Sequence, residues 1–443
     1  MAKLVYDETG RLLFTQEMKE EYTLLMPQML PVHFGMMRQL LECEGYKVDM
    51  LTTTHRGIVD EGLKYVHNDT CYPALLVIGQ LIDAVKHGGY DPHKVALMIT
   101  QTGGGCRASN YIHLLRKALE KADLGFVPVI SINLAGLEKN PGFALTFPLI
   151  RKMLYAMIYG DLIVDVANQV RPYEVTAGSA DRMIERWSGQ LVNGFQRGKG
   201  MTKAQMRKNF DAICADFAAI PVQGEPKIRV GVVGEIYVKF APLGNNNLEK
   251  FLLSEGVEVV VPGLIDFILY SIHAKVTDID LYGGSKAMRA GINAFLHYVA
   301  SFQQDMIDSM NKNGRFRAPG SFFELHSRVK GYLGDGNKMG EGWLLTGEML
   351  ELIHSGTNNI VCTQPFGCLP NHIVGKGMIR KLKDDYPYSN IVAIDYDPGA
   401  TKINQENRIK LMLANAKGLS HQEAPAPREP QPEPPRKLVH AHS

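Results

Sequence analysis

The sequence predicts an α/β protein with two Rossmann-like parallel-sheet domains and a helical connecting segment. Two blocks of the chain alternate short β-branched runs with helical patterns, which is how βαβ units read in a sequence. A long stretch of helical periodicity separates the two blocks. A chain of 443 residues with 45% hydrophobic and 21% charged content is also long enough for two or three buried cores.

The first block opens with a predicted strand that Pro27 ends. The run at residues 95–100 is almost entirely apolar, as expected for a strand covered on both faces of a parallel sheet. The predicted strands are residues 22–26, 47–51, 95–100 and 126–132, and the predicted helices are residues 34–43, 72–86 and 109–122. The connector is predicted to be helical over residues 147–217, with breaks near Pro172 and Gly178.

The second block restarts the pattern with a β-branched run. Its predicted strands are residues 228–233, 257–261, 358–361 and 391–395, and its predicted helices include residues 265–274, 287–311 and 341–354. Six prolines between Pro425 and Pro435 predict a disordered tail. The predicted organisation is an N-terminal extension at 1–19, α/β domains at 20–150 and 226–416, a helical connector at 151–225, and a tail at 417–443.

Composition narrows the class of protein. A formal net charge of +2 and the lack of basic runs argue against nucleic-acid binding. No stretch has the roughly 18 apolar residues of a membrane span, and the first ten residues do not resemble a secretory signal. We therefore expect a cytoplasmic protein with reduced thiols.

Four of the six cysteines lie in short loops rich in glycine, proline and small polar residues. We interpret Cys71, Cys106, Cys362 and Cys368 as metal ligands, each predicted to lie at a strand end or to precede a helix. Phe366 and Pro365 are expected to shield this site from water. Cys368 could instead be a thiol that lies near the metal site without binding the metal. The remaining pair, Cys43 and Cys214, fall in helical patterns and are interpreted as core thiols.

Cysteine spacing favours an iron–sulfur cluster over zinc. Zinc ribbons use paired C-x2-C knuckles, whereas Cys71 and Cys106 are 35 positions apart (106 minus 71) and the second pair is C-x5-C. Gly104 and Gly105, ahead of Cys106, either let backbone N–H groups approach a cluster or simply form a tight turn. Gln364 and Phe366 are the other predicted cofactor contacts. The sequence has no phosphate-binding loop, so we do not expect this chain to hydrolyse ATP.

Polar residues near the cysteines are candidates for catalysis. Arg107 and His372 each lie within four positions of a predicted ligand, where a cation or an imidazole would couple proton and electron arrival. Glu341 is the third candidate, with the alternative role of an acidic residue at a helix start.

Seven short motifs together resemble a known family. They are NDTCYPA (68–74), QTGGGCR (101–107), GEIYVK (234–239), GEGW (340–343), QPFGCLPNH (364–372), DYDPG (395–399) and NQENR (404–408). The chain is similar, from about residue 20 to 415, to the activase-associated iron–sulfur branch of the 2-hydroxyacyl-CoA dehydratase superfamily. This superfamily includes 2-hydroxyglutaryl-CoA dehydratase-like and double-cubane cluster protein-like members.

The resemblance implies an oxygen-sensitive protein of anaerobic metabolism. It implies a cysteine-bound [4Fe-4S] or double-cubane cluster that receives low-potential electrons from an ATP-hydrolysing activase with a cluster of its own. ATP would bind only to that partner, and a homodimer is implied by analogy. The best-known dehydratase subunits use three cysteines and leave one iron open to substrate, whereas this chain offers four candidates.

The sequence is compatible with three functions. The favoured one is an iron–sulfur protein that accepts electrons from the activase and reduces a small substrate that is hard to reduce. The second is a component of a 2-hydroxyacyl-CoA dehydratase, although the sequence has no basic cluster suited to the CoA phosphates. The third is a structural metalloprotein or scaffold without catalysis.

Overall fold

Two four-stranded sheets, all of whose strands are parallel, form the frame of the protein. The structure is a computed structural model and describes residues 2–67, 69–100, 105–132 and 138–419. It confirms the predicted fold class. Gly104 and the tail from residue 420 lie outside the described residues.

The first sheet has the strand order β2-β1-β3-β4. Its strands are β1 (Thr23–Pro27), β2 (Lys47–Leu51), β3 (Val95–Thr100) and β4 (Val129–Ile132). Leu24 of β1 pairs with Val48 on one side and with Ala96 on the other, so β1 and β3 are the central strands. Its helices are α1 (Gln16–Glu21), α2 (Pro31–Cys43), α3 (Arg56–Tyr65), α4 (Tyr72–His87) and α5 (Tyr111–Lys121).

The second sheet repeats this topology with the order β6-β5-β7-β8. Its strands are β5 (Arg229–Gly234), β6 (Glu258–Val260), β7 (Asn359–Pro365) and β8 (Asn390–Tyr396). In both sheets the strand order reverses between the two central strands, and ligands of open parallel sheets bind at the carboxyl ends of such strands. The helices between and after these strands are α9 (Ile236–Phe240), α10 (Leu248–Ser254), α11 (Leu264–Tyr282), α12 (Lys286–Asn313), α13 (Phe322–Val329), α14 (Leu344–His354), α15 (Ile379–Asp385) and α16 (Lys402–Leu419).

The connector is helical. It consists of α6 (Phe147–Val170), α7 (Ser179–Gln196) and α8 (Lys203–Ala218). Helices α6 and α8 also pack against α11 and α12 of the second block, so the connector and these two long helices make a shared helical layer. No helix within the described ranges is both long enough and apolar enough to cross a membrane.

Two hydrophobic cores join the sheets. Leu24 of β1 and Ile360 of β7 lie in one core, and Leu97 of β3 and Val361 of β7 lie in the other. Alternate residues of a strand point to opposite faces, so each core draws on one face of both sheets. The two sheets are therefore held in a fixed relation by continuous apolar packing.

A buried carboxylate also ties the two halves together. Asp161 of α6 accepts hydrogen bonds from His33 Nε2 at 2.8 Å and from the backbone N–H groups of Leu264 and Ile265 at 2.9 and 2.7 Å. These two N–H groups lie in the first turn of α11, where they have no carbonyl partner within the helix and where a negative charge is favoured. Asp161 thereby joins α2, α6 and α11.

Four local predictions were wrong. Cys71 does not follow a strand, because helix α3 intervenes after β2. Cys362 does not end its strand, because β7 continues to Pro365. Glu341 does not begin a helix, since α14 starts only at Leu344. Cys43 is exposed rather than buried, because it is the last residue of α2 and lies on its solvent face.

Candidate functional site

Three cysteines approach the same cleft from both domains. Cys106 follows the central strand β3 and precedes a short 3₁₀ turn. Cys368 lies three positions after the end of the central strand β7. Cys71 is the N-cap residue of α4, where the helix dipole favours a thiolate.

Close backbone contacts show that the three loops meet. The N–H of Tyr72 donates to the carbonyl of Phe366 at 2.9 Å, which joins the Cys71 loop to the Cys368 loop. Gly367 has a φ of 73°, and a Cβ at this position would lie 3.1 Å from Cα of Cys71. A Cβ on Gly340 would lie 3.8 Å from Sγ of Cys106. Gly367 therefore permits the close approach of the second domain to Cys71, whereas 3.8 Å at Gly340 is an ordinary contact distance to Cys106.

Burial raises the pKa of all three thiols above the ordinary value of 9.0, which favours the protonated form at neutral pH. Burial raises the pKa of Cys71 to about 11, although its 2.9 Å hydrogen bond with the Tyr111 hydroxyl acts in the opposite direction. Burial also raises the pKa of Cys106 and, more strongly, that of Cys368. Binding of a metal or cluster would stabilise the thiolates and release their protons.

Two buried glutamates face these cysteines. Glu235 follows strand β5 and accepts a hydrogen bond from the N–H of Val238 at 2.9 Å, while Glu341 accepts one from Ile236 at 3.0 Å. Glu235 acts electrostatically on Cys71, and both glutamates act on Cys106 and Cys368. Carboxyl and thiol groups therefore share one small buried region.

The two carboxyl groups favour the protonated state. Burial and repulsion by Glu341 raise the pKa of Glu235 from its ordinary value of 4.5 to about 8. Burial raises the pKa of Glu341 as well. At neutral pH Glu235 is thus a protonated acid beside three thiols, which makes it a proton donor for chemistry in the cleft.

A buried ion pair lies behind Glu341. Lys239 Nζ is 2.7 Å from Glu348 Oε1, and both side chains are almost fully buried. Lys239 counteracts the effect of burial on the pKa of both Glu341 and Glu348. The single ammonium group therefore balances part of the negative charge that the glutamates bring to this region.

Cys362 lies inside a strand and not in the loops that carry the other three cysteines. It lies within β7, is 1% exposed, and its Sγ is 3.7 Å from Oδ1 of Asn371. Its electrostatic neighbours are Glu348, Lys376 and Asp395, whereas Cys71, Cys106 and Cys368 share Glu235. The sulfur thus points into a core beside the strand.

The remaining predicted residues border the cleft in different ways. Arg107 is exposed, and its guanidinium donates to the carbonyl of Asp69 at 2.8 Å. His372 and Phe366 are also exposed, and Gln364 is completely buried. A Cβ on Gly105 would meet Sδ of Met339 at 2.6 Å, so this glycine allows the two domains to touch.

In the described part of the chain, the donor atoms of this cleft are not gathered within 4.8 Å of one another. The ligands of a single zinc ion would lie that close together. In an iron–sulfur cluster each thiolate binds a different iron, so the sulfurs stand further apart. Cys71, Cys106 and Cys368 would be the residues that hold such a cluster.

One residue of this region, Tyr111, was not predicted to lie at the site. Tyr111 hydrogen-bonds Cys71 from 40 positions away, and no local pattern marks it. Glu235 directly follows the end of strand β5, and that position marks it as a candidate. An acidic residue at the carboxyl end of a central parallel strand is a plausible site residue by position alone.

The raised pKa of Glu235 predicts how stability depends on pH. The folded value of about 8 exceeds the ordinary value of 4.5, so the neutral carboxyl stabilises the fold below pH 4.5 and this contribution declines as pH rises through 8. Each pKa unit corresponds to about 1.4 kcal/mol. Urea unfolding of the metal-free protein between pH 5 and 8 should therefore show a falling free energy of unfolding, and Glu235→Gln should flatten that fall.

The exposed Glu185 provides the matched control. Glu185→Gln should leave the fall in unfolding free energy unchanged. Parallel curves for the wild type and Glu235→Gln would contradict the assignment of a buried, protonated Glu235.

Comparison with known proteins adds no assignment. No protein-family model matches the chain, and a search of the curated proteins finds no match. The family resemblance is therefore a prediction that rests on the sequence motifs.

Proposed function

We propose that this protein binds an iron–sulfur cluster through Cys71, Cys106 and Cys368 and works as the electron-accepting component of an ATP-dependent reductase. The observation that carries the proposal is the meeting of three cysteine loops from two domains, of which those of Cys106 and Cys368 follow central parallel strands. When bound, the cluster supplies a one-electron carrier at low potential. The protein supplies the cysteine ligands of the cluster, loops that limit the access of water to it, and nearby groups that can donate protons.

The loops that limit the access of water come from both domains. Phe366 and Gly367 contact the Cys71 loop, while Gly340 and Met339 contact the Cys106 loop. This packing limits the access of water to the three sulfurs, and solvent exposure is one of the factors that set the reduction potential of a cluster. Glu235 adds a carboxyl group whose pKa of about 8 favours the protonated form, and burial raises the pKa of Glu341 as well.

The three-cysteine set bears on where substrate would bind. A cubane cluster has four irons, and three thiolates leave one iron without a cysteine ligand. Glu235 and Glu341 both act electrostatically on Cys106 and Cys368, so they are candidates to pass protons to a small substrate as it is reduced. This arrangement suits a reductive site better than a saturated structural cluster.

A 2-hydroxyacyl-CoA dehydratase component is the second candidate. The same three-cysteine set favours it, because the resemblance implies three ligands and one open iron in those subunits. Shifts in the electron paramagnetic resonance (EPR) spectrum on addition of a 2-hydroxyacyl-CoA, but not of small reducible anions, would favour the dehydratase over the reductase.

We expect a separate activase-type ATPase to deliver the electrons. The test measures ATP hydrolysis and cluster reduction in the anaerobically purified chain with dithionite, in the presence and absence of MgATP. The chain alone should hydrolyse no ATP, and ATP should not change the extent of cluster reduction. ATP hydrolysis coupled to reduction of the cluster by the chain alone would overturn the need for a partner.

A further inference from the structure

We propose that His273, His326 and Asp335 form a binding site for a divalent transition-metal ion, separate from the cysteine site. Within the part of the chain that the structure describes, they are the one set of three potential ligands whose donor atoms all lie within 4.8 Å of one another. Two imidazole nitrogens and one carboxylate oxygen are a donor set used by Zn²⁺ and by non-haem Fe²⁺. Such sites keep further coordination positions for water.

Three separate segments bring these ligands together. His273 is on α11, His326 is on α13, and Asp335 is in the loop between α13 and α14. The Nε2 atom of His326 is 2.8 Å from Oδ1 of Asp335, and the two imidazole rings are 4.6 Å apart between centroids. The hydrogen bond between His326 and Asp335 holds the loop. His273, whose Nδ1 is 3.5 Å from the Thr277 hydroxyl, brings a second imidazole to the same point.

Aromatic packing fixes the orientation of both rings. The buried Trp343 lies 4.7 Å from the His326 ring and 6.0 Å from the His273 ring, between centroids. Phe322, which is fully buried, contacts both imidazoles from a second side. Ligands whose rotamers are fixed by packing lose little freedom when a metal binds, which favours affinity.

The charge of the three ligands and their exposure to solvent also suit the binding of a metal ion. Asp335 places a carboxylate oxygen, a negatively charged ligand, beside the two imidazoles. The side chain of His326 is 15% exposed and that of Asp335 is 48% exposed, so an ion can enter from solvent on the side of the carboxylate. A metal ion would take the place of the hydrogen bond between His326 and Asp335.

The site lies at one end of a segment that reaches the cysteines. Asp335 is five positions before Gly340, which approaches Sγ of Cys106. Between them, the carbonyl of Asn337 accepts a 2.7 Å hydrogen bond from the N–H of Trp343, and Lys338 pairs with Asp278. A metal ion on Asp335 would therefore restrain the wall of the cysteine cleft.

The test is a Co²⁺ titration of the anaerobically purified full-length protein. We expect one Co²⁺ per chain with d–d absorption and no thiolate charge-transfer band, displaced by Zn²⁺ or Fe²⁺ in separate competition arms. His273→Ala and His326→Ala should weaken binding by at least about tenfold, and Asp335→Asn should weaken it similarly. His297→Ala is the matched control, because His297 is a neighbouring exposed histidine stacked on Phe323.

A second measurement guards against variants that fold poorly. Hydrogen exchange of the wild type with and without Zn²⁺ should show slower exchange over residues 330–337 when the ion is present. Wild-type Co²⁺ affinity in both histidine variants would overturn the proposal. This comparison of variants with the wild type does not depend on whether the cysteines bind a cluster.

Discussion

Replacement of Cys71, Cys106 or Cys368 by serine should remove most of the iron and the brown colour of the anaerobically purified protein. Each of these thiols lies where loops of the two domains meet, and a serine oxygen is a poor substitute for a soft thiolate ligand of iron. Iron and acid-labile sulfide per chain are the quantities to measure. Cys106→Ser should have the clearest effect, because Cys106 follows a central strand directly opposite the second domain.

Three other cysteines serve as internal controls. Cys214 is buried among the connector helices, Cys43 is exposed at the end of α2, and Cys362 is enclosed beside β7. Serine at any of these positions should leave the iron content close to that of the wild type. Iron loss in Cys362→Ser equal to that in Cys106→Ser would restore the four-ligand set that the sequence predicts.

Lys239→Met should destabilise the fold by about 3–5 kcal/mol, the usual cost of leaving a buried charge without its partner. Lys239 is 2.7 Å from Glu348 in a nearly dry environment, and it also lowers the electrostatic cost of Glu341. Urea unfolding of the metal-free protein at pH 7 measures the loss. The variant should also bind its cluster less well, since Glu341 lies beside the cysteines.

A double-mutant cycle separates the ion pair from the packing of the side chains. Lys239→Met with Glu348→Met removes both charges and keeps two long apolar side chains, so most of the lost stability should return. Lys312→Met is a control that breaks an exposed pair, with Asp211, and should cost about 1 kcal/mol or less. A Lys239→Met protein as stable as the wild type would show that this pair is not needed.

Most of the frame could be predicted from the sequence because parallel strands are strongly patterned. The apolar run of β3 was predicted with the bounds that the structure gives, Val95–Thr100. Helix α3 was missed, since its buried face is short and includes Glu61 and Gly62. That omission placed Cys71 at a strand end, when it actually caps a helix that follows another helix.

The site was predictable only in part, because sequence shows where a loop begins but not what lies opposite it. Cys106 and Cys368 follow central strands, and their loops could be recognised. Cys362 was misplaced by the early end assigned to β7, and a shift along a strand turns a side chain toward a different face. The contact of Tyr111 with Cys71 depends on the packing of α5 against α4, which no local pattern encodes.

Iron and sulfide analysis of the anaerobically purified wild type and Cys106→Ser, combined with EPR of the dithionite-reduced proteins, tests the central claim most directly. The three-cysteine site predicts iron and acid-labile sulfide in equal amounts in the wild type, an EPR signal typical of a reduced cluster, and the loss of all three in the variant. A wild-type protein that contains zinc and no sulfide, or a Cys106→Ser protein with full iron content, would contradict it.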